Sequence, residues 1–277
     1  MKKIGFVDYD LNEWHADHYP DWIAEACAAL GCDYRVAYAW AEHTVTPKTG
    51  ATAAQWCKAH GAELCDSIDA LCEKSDVIIV LAPSNPETHL RYAQAVLPYR
   101  KPTYIDKTFA PDYAAACAIF EIAEKYGTPF FSTSALRFAD ELDTLPQGGH
   151  LMVLGGGSNL PEYIIHEAEM AVKKVGASQR VCAQQRGGLT LLDVQAENGS
   201  ATMIYAPHLP YALHWSAPGQ PDRWAEVTSP FFPNLLRAII RFFETGALPF
   251  DPNQTKDVIR LVERAVHAAA QPGVWVE

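Results

Sequence analysis

The chain has 277 residues, 49% apolar and 20% charged, which is the composition of a folded globular protein with one large domain or two modest ones. It does not suit a disordered, collagen-like or disulfide-stapled chain. Its 22 Lys and Arg against 33 Asp and Glu give a formal charge of −11 with no basic run, which argues against nucleic acid and anionic membrane surfaces as partners. Met1-Lys2-Lys3 leads into an apolar stretch too short for a signal peptide, and no apolar run approaches the roughly 18 residues of a membrane span. Seven Cys show no Cys-x-x-Cys spacing, so a reduced, cytoplasmic protein is expected.

Up to residue 133, short apolar runs alternate with helix-period segments, the pattern of a doubly wound parallel sheet with helices on both faces. Strands are predicted at 4–7 ending at Asp8, at 35–40, at 76–81 as a run buried on both faces, at 103–106 and at 129–132. The helices between them are predicted with Pro20 in a first turn and Gly31 as a stop, and then over 51–60, 86–97 and 111–125. Beyond residue 134 the rhythm changes to an α+β pattern. Turn clusters stand at Pro146-Gln147-Gly148-Gly149 and Gly155-Gly156-Gly157-Ser158, one helix spans 160–174, and three strands near 180–185, 188–195 and 201–205 suggest an open antiparallel sheet. Helices over 233–246 and 254–270 close the chain, so two domains, 1–133 and 134–277, are expected.

In an open parallel sheet ligands sit outside the carboxyl ends of the strands, so the loops there are the candidates. The first, Asp8-Tyr9-Asp10-Leu11-Asn12-Glu13-Trp14-His15, lacks the glycines that bring a backbone close to a pyrophosphate and carries three acids instead. Asp10 and Glu13 have capping-box spacing, and Asp8, Asp10, His15 and His18 offer an alternative metal or polyol site. At the second strand Trp40 either stacks on an adenine or packs in the core, and Glu42 either serves a ribose or is a surface acid. The next loop brings Pro83, Asn85 as a helix cap, and His89 in the first turn. Asp106-Lys107 closes the following strand, where an ammonium group can hold a substrate hydroxyl or simply pair at the surface. Glu162 and His166, four apart on one predicted helix, can relay a proton, with Asn159 and Glu162 alternatively forming a cap.

Taken in order, these signals resemble the Gfo/Idh/MocA family of nicotinamide-dependent sugar and polyol oxidoreductases. Asp106-Lys107-Thr108 stands at that family's Glu-Lys-Pro position, Pro83 to His89 at its Pro-Asn and His segment, and Leu136-Arg137-Phe138 at its Arg-Phe. Gly155-Gly156-Gly157 followed by Glu162, His166 and Glu169 is similar to its glycine turn and Asp-x-x-x-His-x-x-Asp helix. The resemblance implies a Rossmann-like domain and an open-sheet domain, with NAD or NADP as cofactor. It implies His166 as general acid/base, Lys107 positioning the substrate hydroxyl and Glu162 assisting. Asp8, Asp10, Leu11, Trp40, Pro83, Asn85, His89 and Asp106 are the cofactor-facing residues, and no metal is implied. The partners expected are a small-molecule substrate and further copies of the chain, as a homodimer or homotetramer. Two other readings stand beside it: a binding or regulatory module with a degenerate cofactor site, and a metal-assisted lyase or hydrolase.

Overall fold

A run of four apolar residues, Val77 to Val80, has no polar face to offer water, and such a strand belongs in the middle of a parallel sheet. The computed structural model describes residues 1–47 and 49–277, and it groups them into two units, Met1–Thr133 with Phe232–Phe250, and Ser134–Phe231 with Asp251–Glu277. The segment Phe232–Phe250, expected in the second domain, thus returns to the first.

The first unit runs β1 (Lys2–Asp8), α1 (Trp14–Leu30), β2 (Tyr34–Ala41), α2 (Ala53–His60), β3 (Glu63–Leu64), α3 (Ile68–Lys74), β4 (Val77–Val80), α4 (Pro86–Val96), β5 (Thr103–Ile105), α5 (Tyr113–Tyr126) and β6 (Phe130–Ser132). Its six strands are parallel in the order β3-β2-β1-β4-β5-β6, the expected doubly wound sheet, with the chain reversing direction across the sheet between β1 and β4. Thr52, Ser67 and Asp112 cap α2, α3 and α5 with their side chains. β3 and α3 were not expected from the pattern. Gly5 makes room for α3, because a Cβ there would collide with Ser75 and Leu71. Ile4, Phe6 and Val7 meet Ile78 to Val80, Tyr104 and Ile105 in a core closed to water. The returning helix Phe231–Thr245 sets Phe242 edge-on to Phe131, at 5.2 Å, and stacks Phe232 on Trp22, at 5.1 Å.

Two expectations for α1 are corrected. The helix starts at Trp14, capped by Glu13 alone and not by an Asp10–Glu13 pair, and Pro20 therefore lies inside the helix and not in its first turn.

In the second unit follow α6 (Asp140–Asp143), β7 (Gly149–Gly155), α7 (Leu160–Tyr163), α8 (Ile165–Val175), β8 (Ser178–Arg186), β9 (Leu189–Ala196), β10 (Gly199–Tyr205), β11 (Ala212–Ser216), β12 (Arg223–Glu226), α10 (Asn253–Ala270) and β13 (Trp275–Val276); the returning helix Phe231–Thr245 is α9. The seven-stranded sheet has the order β12-β11-β7-β10-β9-β8-β13. It is mixed and not purely antiparallel, since β10 pairs parallel with β7. β7 lies between the two glycine clusters read as turns, and Gly155 to Gly157 turn out to be places of close approach. A Cβ on Gly155 would meet Glu167 and Tyr211, on Gly156 the Ala206 carbonyl, and on Gly157 the Tyr163 ring. Among the described residues no helix is long and apolar enough to cross a membrane.

Candidate active site

Outside the carboxyl ends of β1 and β4, where the strand order reverses, lies a pocket of about 500 Å³ lined by Asp8, Asp10, Asn12, Glu13, Pro83 and Asn85 among others. This is the place and the size of a small-molecule site in a doubly wound sheet. The acids of the first loop are occupied by the chain's own amides. Asp8 Oδ1 accepts from the backbone N–H of Tyr9 (2.7 Å), Asp10 (3.4 Å) and Ala82 (2.9 Å). Asp10 Oδ1 accepts from Asn12 N–H (3.1 Å) and from the Thr46 hydroxyl (2.5 Å). Glu13 takes the two amides at the start of α1, His15 N–H at 2.8 Å and Ala16 N–H at 2.5 Å.

Burial pushes the Asp8 carboxyl well above the usual carboxylate range, with the neighbouring charge of Glu13 adding to it, and burial raises Glu13 as well. Asp8 Oδ2 is buried with no hydrogen-bond partner among the described residues, and a carboxyl that keeps its proton donates from such an oxygen. A phosphate oxygen of a dinucleotide would be one acceptor for it, whereas the helix amides beside it are taken by the Glu13 side chain.

Lys107 follows β5, half-buried, its Nζ 3.5 Å from the Pro83 carbonyl oxygen, and the Lys107–Thr108 peptide is cis. Asp106 beneath it is enclosed. Its Oδ1 accepts from Lys107 N–H (2.9 Å), the Tyr104 hydroxyl (3.0 Å) and the Tyr19 hydroxyl (3.3 Å). Its Oδ2 lies 2.6 Å from His15 Nδ1, a close contact without the alignment of a hydrogen bond. Burial alone would raise this carboxyl, but His15 and Lys107 outweigh it and hold it below the ordinary range. Asp106 thus anchors the loop that presents Lys107 and turns away from the pocket, as a support and not a lining residue.

Three other expected cofactor-facing residues take structural places. Leu11 is fully buried, with no surface to offer a ligand. His89 is enclosed between two carbonyls, with Nε2 2.7 Å from that of Leu81 and Nδ1 3.0 Å from that of Phe109, and burial lowers its pKa; a neutral ring can donate to one of the two, and its place is structural. Trp40 packs edge-on to Tyr92 at 5.9 Å, and Glu42 receives Tyr92 (2.6 Å) and Arg91 (2.5 Å). Asn85 stands at the cap of α4 without a side-chain cap bond, its carbonyl accepting from Thr88 instead. The alternative metal set does not converge, because His15 turns to Asp106 while His18 turns to the Trp14 carbonyl at 2.7 Å.

In the second unit the helix expected over 160–174 is interrupted at Ile164, between Glu162 and His166. Glu162 accepts from the Asn159 side chain at 3.1 Å, and its own N–H donates to Asn159 Oδ1 at 3.0 Å. His166 Nδ1 lies 2.6 Å from Ser134 Oγ. Ser134 is itself fixed, since its N–H donates to Glu169 Oε1 (3.0 Å), whose Oε2 pairs with the buried Arg137 at 2.9 Å. Ser134, Tyr19 and Tyr104 are the residues that sequence reasoning missed. The only signal for Ser134 is its place just before Leu136-Arg137-Phe138.

No family model and no curated protein matches the chain. Solved structures do. The chain is similar to a putative myo-inositol dehydrogenase from Sinorhizobium meliloti 1021, at TM-score 0.74 and 13% identity over 100% of this chain and 99% of that one. It is similar to biliverdin reductase from Synechocystis sp. PCC 6803, solved with biliverdin and NADP+, at TM-score 0.69 and 16% identity over 98% and 99%. A third is an oxidoreductase from Agrobacterium radiobacter in complex with NAD+, L-tartaric acid and magnesium, at TM-score 0.73 and 12% identity over 100% and 98%. At such identities the likeness defines the fold, that of dehydrogenases and oxidoreductases. It is the two-part architecture that the Gfo/Idh/MocA resemblance implies.

Proposed function

We propose that the chain is a divergent Gfo/Idh/MocA-type oxidoreductase that uses NAD or NADP to oxidise or reduce a sugar, polyol or related hydroxylated small molecule. The observation that carries this reading is the pocket at the reversal point of the six-stranded sheet, with the partnerless Asp8 oxygen in its wall and Lys107 presented from the neighbouring strand end. The NADP+ and NAD+ bound in two of the similar structures support it. A bound nicotinamide supplies the hydride chemistry. Asp8, Asp10, Pro83 and Asn85 face the cofactor. The Lys107 ammonium holds the substrate hydroxyl and favours its deprotonated form. His166 takes or returns the hydroxyl proton, held in orientation by Ser134, with Glu162 assisting. Copies of the chain associate as a homodimer or homotetramer.

A second reading, a binding or regulatory module, is favoured by the carboxyls that fill the amides of the first loop. One experiment separates the two: thermal shift with millimolar NAD and NADP, followed by a dinucleotide-reduction screen over polyols. A ligand at a hundred times its dissociation constant adds about 2.7 kcal/mol of stability. A shift together with turnover supports the enzyme, and no shift with either dinucleotide leaves the module.

A further inference from the structure

We infer that the Glu13 side chain is a built-in occupant of the phosphate-binding end of α1, which a dinucleotide must displace before it can bind. This rests on the cofactor reading above. The amides at a helix start are the usual donors to a ligand phosphate, because they point out of the first turn with no partner in the helix. Here the two oxygens of one carboxyl take two of them, at His15 and Ala16, and a phosphate cannot share those donors. Glu13 stands five residues after Asp8 and three after Asp10, so the three acids hold the spacing of the glycines in a Gly-x-Gly-x-x-Gly turn. Of the three, Glu13 is the one built to move. Asp8 is enclosed and tied to three amides; Asp10 and Glu13 are both half-buried with two bonds each and both border the pocket of about 500 Å³, but Glu13 is on the longer side chain and is the one that holds the helix amides.

A second observation points independently to an absent ligand. Asp8 Oδ2, fully buried in the wall of the same pocket, has no partner among the described residues, and neither has Asn12 Nδ2. Asp8, Asn12 and Glu13 all line that pocket.

The test is isothermal titration of wild type, Glu13→Gly and Glu13→Ser with NAD+, NADP+, ADP and adenosine, with folding of each protein checked by circular dichroism. Serine still caps a helix but leaves the space open. The expected result is that both variants bind the dinucleotide at least tenfold more tightly than wild type, with an equal gain for ADP and none for adenosine. Equal or weaker dinucleotide binding by the folded variants, or a gain for adenosine as large as that for ADP, overturns the inference and leaves the cofactor reading standing. Absence of dinucleotide binding in all three proteins overturns both.

Discussion

Asp106 and Glu167 are both carboxyls shut away from water, one at the end of β5 in the first unit and the other on α8 in the second, and their affinities for a proton move in opposite directions. Asp106 has His15, the Lys107 amide and two tyrosine hydroxyls around it, and it stays ionised below the ordinary range. Glu167 has no hydrogen-bond partner for either oxygen among the described residues, and burial pushes it up to about 8. Burial raises both carboxyls, and at Asp106 the facing His15 and Lys107 outweigh it. Amide donors alone do not suffice, since Asp8 accepts three and is still raised; the charges facing Asp106 make the difference at the strand end that presents Lys107.

The largest expected effect tests the poor side of this contrast. A carboxyl raised from 4.5 to about 8 keeps its proton in the folded state where the unfolded chain has lost it. Its contribution is therefore fully present below pH 4.5 and is lost as pH rises to about 8, an upper bound of about 5 kcal/mol. Urea midpoints at pH 5 and pH 9 are expected to fall with pH in wild type and to fall much less in Glu167→Gln; parallel curves for the two would break the comparison. On the rich side, Asp106→Ala leaves buried donors and a facing His15 without their anion, and a loss of about 3 to 5 kcal/mol is expected in chemical denaturation. Because the Asp106 pKa is depressed, its contribution holds above the ordinary aspartate value and is lost as pH falls through the folded one.

Next come the groups these supports serve. Lys107→Ala and His166→Ala are each expected to lower turnover at least a hundredfold, about 2.7 kcal/mol in the barrier, with the circular dichroism spectrum unchanged. Wild-type rates in either variant would remove that residue from the site. The smallest effect belongs to Ser134→Ala, which removes the partner of His166 Nδ1 but not the imidazole. A drop of about fivefold in kcat with KM unchanged is expected, roughly 1 kcal/mol.

The parallel sheet was legible because its signals are local: the Val77 to Val80 run, the alternation of short apolar runs with helix-period segments, and the glycine stop at Gly31. What escaped is either too short to show a period, as with Glu63–Leu64 and Ile68–Lys74, or bounded by glycines that read as turns and hide the strand between them, as with Gly149–Gly155. At the candidate site, the position of Lys107 could be read because a strand ends before it. The partners of Asp106 could not, because Tyr19 and His15 reach it from α1 only once the chain is folded, and the same holds for Ser134 and His166. Leu11 and His89 misled because their loops approach the pocket while their own side chains turn inward.

The return of α9 to the first unit means that the polypeptide passes between its halves three times, at 133/134, 231/232 and 250/251. No single cut can release either half whole. A fragment ending at residue 133 would expose the seat that Phe242 fills against Phe131, so the two halves are obliged to be made, kept and inherited as one piece.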